Sequence, residues 1–207
     1  MHLALVRHGQ TEWNLRGLMQ GRTDIPLNAT GRAQAAQAAR TLDPADWDVV
    51  VSSTLGRARE TAAILADGLG LPVAGAYDDL VEQDFGDAEG THVTQIDERW
   101  PGREFPGKEP DHEVGPRGAR ALARIAVDHD GARVLAVAHG TLIRHALGEL
   151  SGHEAQSYPR LDNLSVSRLE RADASWRVLT VGGTSFDEVL PWLRPVRAGD
   201  EVLGRTA

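Results

Sequence analysis

A chain of 207 residues, 41% hydrophobic and 25% charged, has material for one sizeable globular core, and no stretch approaches the ~20 consecutive apolar residues of a membrane span. Its net charge of −8 disfavours general binding to nucleic acid or anionic membranes. The absence of cysteine excludes a disulfide framework, a thiolate nucleophile and a cysteine zinc site.

Lys108 is the only lysine, so almost every cation is an arginine, whose planar fork suits bidentate capture of phosphate or carboxylate. The opening "MHLALVRHG" has a short apolar run and no basic leader, and a cytoplasmic protein is the expectation.

Residues 2–6 read as a strand ending at Arg7, and 15–29 as a loop punctuated by Gly and Pro. Asn28 is an N-cap for a helix over 29–41, with Ala35, Ala36, Ala39 and Leu42 on one face. "WDVVVSS" at 47–53 reads as a buried strand. The helix that follows, over about 55–69, carries an apolar stripe of Leu55, Ala58, Ala62, Leu65 and Leu69 and stops at Gly70. Residues 84–116 are rich in Gly, Pro and charge, with one short helix near 92–99, and read as a cap- or lid-like loop. A helix near 117–129 leads to a strand at 133–138, which ends in His139-Gly140, and a helix over 141–150 follows. Segments 163–169 and 175–181 alternate as a hairpin pair, and Gly182-Gly183-Thr184 reads as a turn.

The expected fold is α/β: one three-layer domain over 1–207, with a mostly parallel central sheet, helices on both faces and a late antiparallel contribution. In such sheets ligands bind beyond the carboxyl ends of the strands. Three predicted strands end there in Arg7-His8-Gly9, in Ser52-Ser53 leading to Arg57 and Arg59, and in His139-Gly140. Imidazoles and guanidiniums gathered without carboxylate partners repel one another unless an anion fills the cluster, and phosphate fits that role.

Four segments, "LVRHGQTEWN", "VVSSTLGRARETA", "LVEQDFGDAEG" and "VAHGTLIR", resemble in order the signatures of the histidine phosphatase superfamily, in its phosphoglycerate mutase-like branch. The resemblance covers about residues 3–145. It implies that His8 is a nucleophile that becomes phosphorylated. Arg7 and Arg59 would hold the phosphoryl oxygens with help from His139, and Glu82 would be the general acid. Asn14, Gln20, Gly21 and Gly140 match positions near the substrate phosphate. The chemistry wants those residue types. A neutral imidazole attacks phosphorus without the repulsion an alkoxide meets, and arginines stabilise the transition state without a metal or cofactor.

Arg57 reads as a solvated helix residue, because Arg59 fits the resemblance better. Glu89 shares the acidic loop with Glu82, but Glu82 fits "L-x-E-x-x-x-G" through Leu80 and Gly86, which leaves Glu89 to order the loop. His139 and His145 lack a usual metal-ligand spacing. Ala88 stands where similar phosphatases commonly carry tryptophan. The "DFG" form of the acid segment, with no lysine soon after it, resembles phosphatases more than mutases.

The expected activity is hydrolysis of a small polar phosphoester, with a mutase-type phosphotransferase as the alternative and a phosphate-ester or protein binding module as a distant third. Arg99, Arg103 and Lys108 in the 84–116 loop are expected to choose the substrate. No nucleic-acid or membrane partner is expected, and a homodimer is left open.

Overall fold

The computed structural model describes residues 1–173 and 175–196. Its central sheet has six strands in the order β3-β2-β4-β1-β5-β6. Four are parallel: β1 (His2–Arg7), β2 (Val49–Ser53), β3 (Val73–Tyr77) and β4 (Val134–Ala138). β5 (Val166–Ala172) pairs antiparallel with β1, and β6 (Ser175–Val178) with β5, which is the late hairpin the sequence predicts. β7 (Thr180–Val181) and β8 (Thr184–Ser185) form a two-residue hairpin whose turn is Gly182-Gly183.

Side chains alternate faces along a strand, and both faces here are covered. Leu3 and Leu5 of β1 and Val134 and Ala136 of β4 pack under α5 (Asp111–Asp128) and α6 (Gly140–Ser151). Ala4, Val6, Leu135 and Val137 pack against α2 (Ala29–Thr41) and α3 (Gly56–Leu69). Asn28 caps α2 by accepting from Gly31 N–H at 2.8 Å, and α3 ends at Gly70, whose φ of 67° suits glycine. Three further helices are short, α1 (Glu12–Leu15), α4 (Ile96–Arg99) and α7 (Phe186–Val189), the last followed by a 3-10 turn over Leu190–Trp192.

The three-layer α/β expectation holds, with three differences in detail. β3 was not expected. α5 begins at Asp111 and not near 117, so residues 111–116 of the expected loop are helical. The remaining loop carries its own small core of Phe85, Ala88, Ile96 and Phe105, with Met19 and Trp100 packed against it. Ala88 is fully buried there, which answers how the loop packs without a tryptophan at that position. Residues 197–207, assigned to the domain from sequence, lie outside the described residues.

Candidate active site

Adjacent parallel strands β2, β4 and β1 end side by side, as the sequence implied, and deliver the site residues to one edge of the sheet. His8 follows β1 directly. Its N–H donates to Ala138 O at 3.0 Å and its carbonyl accepts from Asn163 Nδ2 at 2.8 Å. The ring is 3% exposed, with Nδ1 lying 2.7 Å from Gly9 O. A carbonyl only accepts, so Nδ1 carries the hydrogen and Nε2 keeps a free lone pair. The His139 ring lies 5.1 Å from that of His8, tilted by 56°, and its Nε2 is 2.9 Å from Ser53 Oγ. Burial, then the Arg57 and Arg7 charges, push His8 well below the usual imidazole range. Burial and Arg57 do the same to His139. Both rings are therefore neutral at pH 7.

Arg7 donates to Leu161 O and passes close to the start of α6. A Cβ at Gly140 would stand 3.3 Å from Arg7 Nε, so glycine there lets the guanidinium lie against the helix terminus. The second arginine of the site differs from the one expected. Arg57 is fully buried, its Nη2 donating to Gly21 O at 2.7 Å and its Nη1 to Thr23 O at 3.0 Å, whereas Arg59 is exposed. The reading of Arg57 as a solvated helix residue is thus corrected. The cause is helix phase, since Arg57 shares the buried face of α3 with Thr61 and Leu65. Asp24 seats the first turn by accepting from Gly56 N–H at 2.6 Å.

Glu82 is 6% exposed and replaces a side-chain cap on α6. Its Oε2 accepts from Thr141 N–H at 3.0 Å, and its Oε1 from Leu142 N–H at 2.8 Å and Gln83 N–H at 3.0 Å. Glu89 does order the loop: its carboxylate accepts from the backbone N–H groups of Arg22, Thr23 and Phe85 and from the Thr23 hydroxyl. Burial pushes Glu89 up, but the Thr23 and Arg22 donors outweigh it and leave the carboxyl below its ordinary range.

A cavity of about 460 Å³ opens over this edge. Arg7, Asn14, Gln20, Glu82 and Gly140 line it, while His8, Arg57 and His139 are buried and are not among its lining residues. Gly21 does not line it either and serves Arg57 through its carbonyl. Gln20 Oε1 accepts from Thr11 Oγ1 at 2.6 Å and from Asn14 Nδ2 at 3.2 Å. Gln20 Nε2, Arg7 Nε, Arg57 Nε and His139 Nδ1 are buried nitrogens without a hydrogen-bond partner. Unpaired buried donors are costly, and several gathered near one sheet edge suit an anion. Of the loop cations, Arg103 and Lys108 line the cavity, but Arg99 lies over the Trp100 ring at 4.5 Å and does not. Among the described residues no group of three or more His, Cys, Asp or Glu is placed to hold a metal. Besides misjudging Arg57, sequence reasoning gave no role to Arg144, the last residue of "VAHGTLIR", or to Arg160, both on the cavity wall. The signal for Arg144 was its place one turn after Gly140.

The sequence model of the histidine phosphatase superfamily (branch 1) matches residues 3–184. The chain belongs to the histidine phosphatase superfamily. The uncharacterized phosphatase PhoE of Bacillus subtilis (strain 168) is 40% identical to it over 177 residues, covering 85% of this chain and 91% of PhoE. A "probable phosphoglycerate mutase", GpmB of Enterobacter sp. (strain 638), is 33% identical over 190 residues, covering 85% of this chain and 87% of GpmB. Among solved structures, a mycobacterial glucosyl-3-phosphoglycerate phosphatase complexed with VO3 superposes with a TM-score of 0.79 at 30% identity, covering 89% of this chain and 99% of that one. This histidine phosphatase is an enzyme of the phosphoric monoester hydrolase class.

Proposed function

We propose that this histidine phosphatase hydrolyses a small polar phosphomonoester through a phosphohistidine on His8, without a metal. The observation that carries the reading is the His8 ring, neutral under burial and the Arg57 and Arg7 charges and fixed by Gly9 O so that Nε2 keeps its lone pair. Nε2 attacks phosphorus and the ester P–O bond breaks. The departing oxygen takes a proton from Glu82. Water then attacks the phosphohistidine, Glu82 takes its proton, and phosphate leaves with Nε2 free again.

Arg7, Arg57 and Gln20 have unpaired donors for the equatorial oxygens. His139 joins them: Ser53 Oγ accepts from Leu55 N–H at 3.2 Å and is free to donate to His139 Nε2, which leaves the hydrogen on Nδ1. These donors supply the positive environment that a cation would otherwise provide. A cavity of about 460 Å³ exceeds the needs of a phosphoryl group and admits water, which favours hydrolysis over return of the group to a product alcohol.

The test is rapid quench with a radiolabelled phosphoester. Acid-labile, base-stable label absent from His8→Ala supports the reading, and label on Ser52 or an aspartate defeats it. Turnover that survives exhaustive chelation is expected, and a large loss restored by a divalent ion would count against the metal-free route.

A further inference from the structure

Five cationic side chains line the cavity: Arg7, Arg103, Lys108, Arg144 and Arg160. Its two carboxylates are Glu82 and Asp111. Arg103 already pairs with Asp97 at 2.7 Å and Lys108 with Asp111 at 3.0 Å. Glu82 is taken up by backbone N–H groups. His145, also on the wall, is pushed down to about 4, chiefly by burial, and is neutral at pH 7.

The side chains of Arg144 and Arg160 form no hydrogen bond or ion pair with any described residue. Surface arginines are often unpaired, but Arg144 is half-buried in the wall of a concave site. Burial lowers its pKa, Glu82 opposes that, and Arg160 adds like-charge repulsion. Both arginines are tethered to the phosphoryl end. Arg144 lies one turn beyond Gly140, a rise of about 6 Å, and helical side chains lean back towards the N-terminus. Arg160 immediately precedes Leu161, whose carbonyl accepts from Arg7.

We propose that Arg144 and Arg160 form a second anion subsite, which selects phosphomonoesters bearing a further acidic group a short carbon chain from the scissile phosphate. The acidic group is a carboxylate or a second phosphate, since a guanidinium fork accepts either. An anion between the half-buried Arg144 and the exposed Arg160 removes their mutual repulsion. The inference rests on the reading of His8 as the phosphoryl acceptor, which fixes where the first phosphate sits.

The test compares two matched substrate pairs, phosphoglycerate against glycerol phosphate and fructose bisphosphate against fructose monophosphate. In the native enzyme the member with the extra anion should have the higher kcat/KM, by about tenfold or more, in at least one pair. Arg144→Gln and Arg160→Gln should each collapse that ratio by severalfold, and the pair that collapses identifies the anion. Equal losses on both members, or no preference in either pair, overturn the subsite. The same ratio is read without chemistry by calorimetric titration of phosphoglycerate and glycerol phosphate, and of the fructose pair, into His8→Ala, with and without Arg144→Gln. If His8 never labels but the binding ratio still collapses, the phosphohistidine reading fails and the subsite stands. If His8 labels and the ratio does not move, the subsite alone fails.

Discussion

The Glu82 carboxylate accepts from Leu142 N–H at 2.8 Å while Gly140, two residues earlier in the same helix turn, makes room for Arg7. One helix terminus therefore holds the proposed acid and, beside it, a proposed phosphate ligand. Glu82→Gln keeps the shape of the side chain but removes its proton. The loss should be about 10²–10⁴-fold in kcat/KM for glycerol phosphate, whose alkoxide needs that proton, and far smaller for nitrophenyl phosphate. Equal losses on the two substrates would move the acid role elsewhere.

Arg57 and Arg59 make opposite predictions. Arg57→Lys keeps the charge, but one compact ammonium cannot span the separate positions from which Nη1 and Nη2 reach Thr23 O and Gly21 O while also holding a substrate oxygen. It should lower kcat by about 10²-fold or more. Arg59→Ala, an exposed change, should stay within about 0.5 kcal/mol in stability and leave kinetics near native. Steady-state kinetics with thermal melts check both, and a reversed order would restore Arg59 to the site.

Acid should destabilise the fold through its buried imidazoles. An unfolded histidine takes up a proton near pH 6.5. His145 does so when folded only at about 4, and His8 and His139 lie well below the ordinary value. Between the two pKa values the unfolded chain binds more protons, so stability rises with pH there. It is complete above about pH 6.5 and is lost as pH falls towards the folded values. For His145 alone the loss between about pH 7 and pH 5 is on the order of 2 kcal/mol. Urea unfolding of the native protein and of His145→Gln at those two pH values isolates that share, and parallel profiles would refute it.

The buried Arg117 and the partly buried Glu109 form a bidentate pair at 2.7 and 2.9 Å, and Arg117 Nη1 also donates to Val81 O at 2.8 Å. Glu109→Ala leaves a buried charge without its partner and should cost about 3–5 kcal/mol. Adding Arg117→Met should recover part of that loss, because the stranded charge is then gone. Denaturation of the two variants decides this, and an additive double mutant would contradict it. Since the pair grips the residue before Glu82, kcat should fall in both.

Much of this was readable because the strands are buried on both faces and each helix has an apolar stripe. The strand ends, and with them the places of His8 and His139, followed from that pattern, whereas Glu82 was implied only by the family resemblance. Arg57 was misjudged for a reason the sequence contains. Positions 57, 61 and 65 share one face of α3 and 59, 63 and 67 the opposite one, so helical phase separates the arginines where motif matching did not. β3 offered no such handle, since "VAGAY" is an edge strand with Val73 exposed and no alternating apolar face. The start of α5 was hidden by Gly115, Pro116 and Gly118, which read as punctuation. A Cβ on Gly118 would lie 2.8 Å from that of Ala146, so the glycine serves contact with α6, and tertiary packing overrides its poor helix propensity. Arg160 has no local signature, and the place of Arg144 one turn after Gly140 does not by itself reveal a shared cavity wall, which exists only once α6 and the 160–161 segment meet.

Glu89 has a bearing on how a mutational survey of this enzyme would be interpreted. Its one carboxylate fastens the strand of backbone at 22–23 to Phe85 N–H, and the carbonyl of Thr23 in turn steers Arg57. Replacing it with alanine would slacken both ends of the site together and abolish turnover as thoroughly as removing a proton donor. An activity screen alone would thus score two essential glutamates and could not tell the chemist from the carpenter. Leaving-group dependence separates them, because a misplaced scaffold slows every substrate alike.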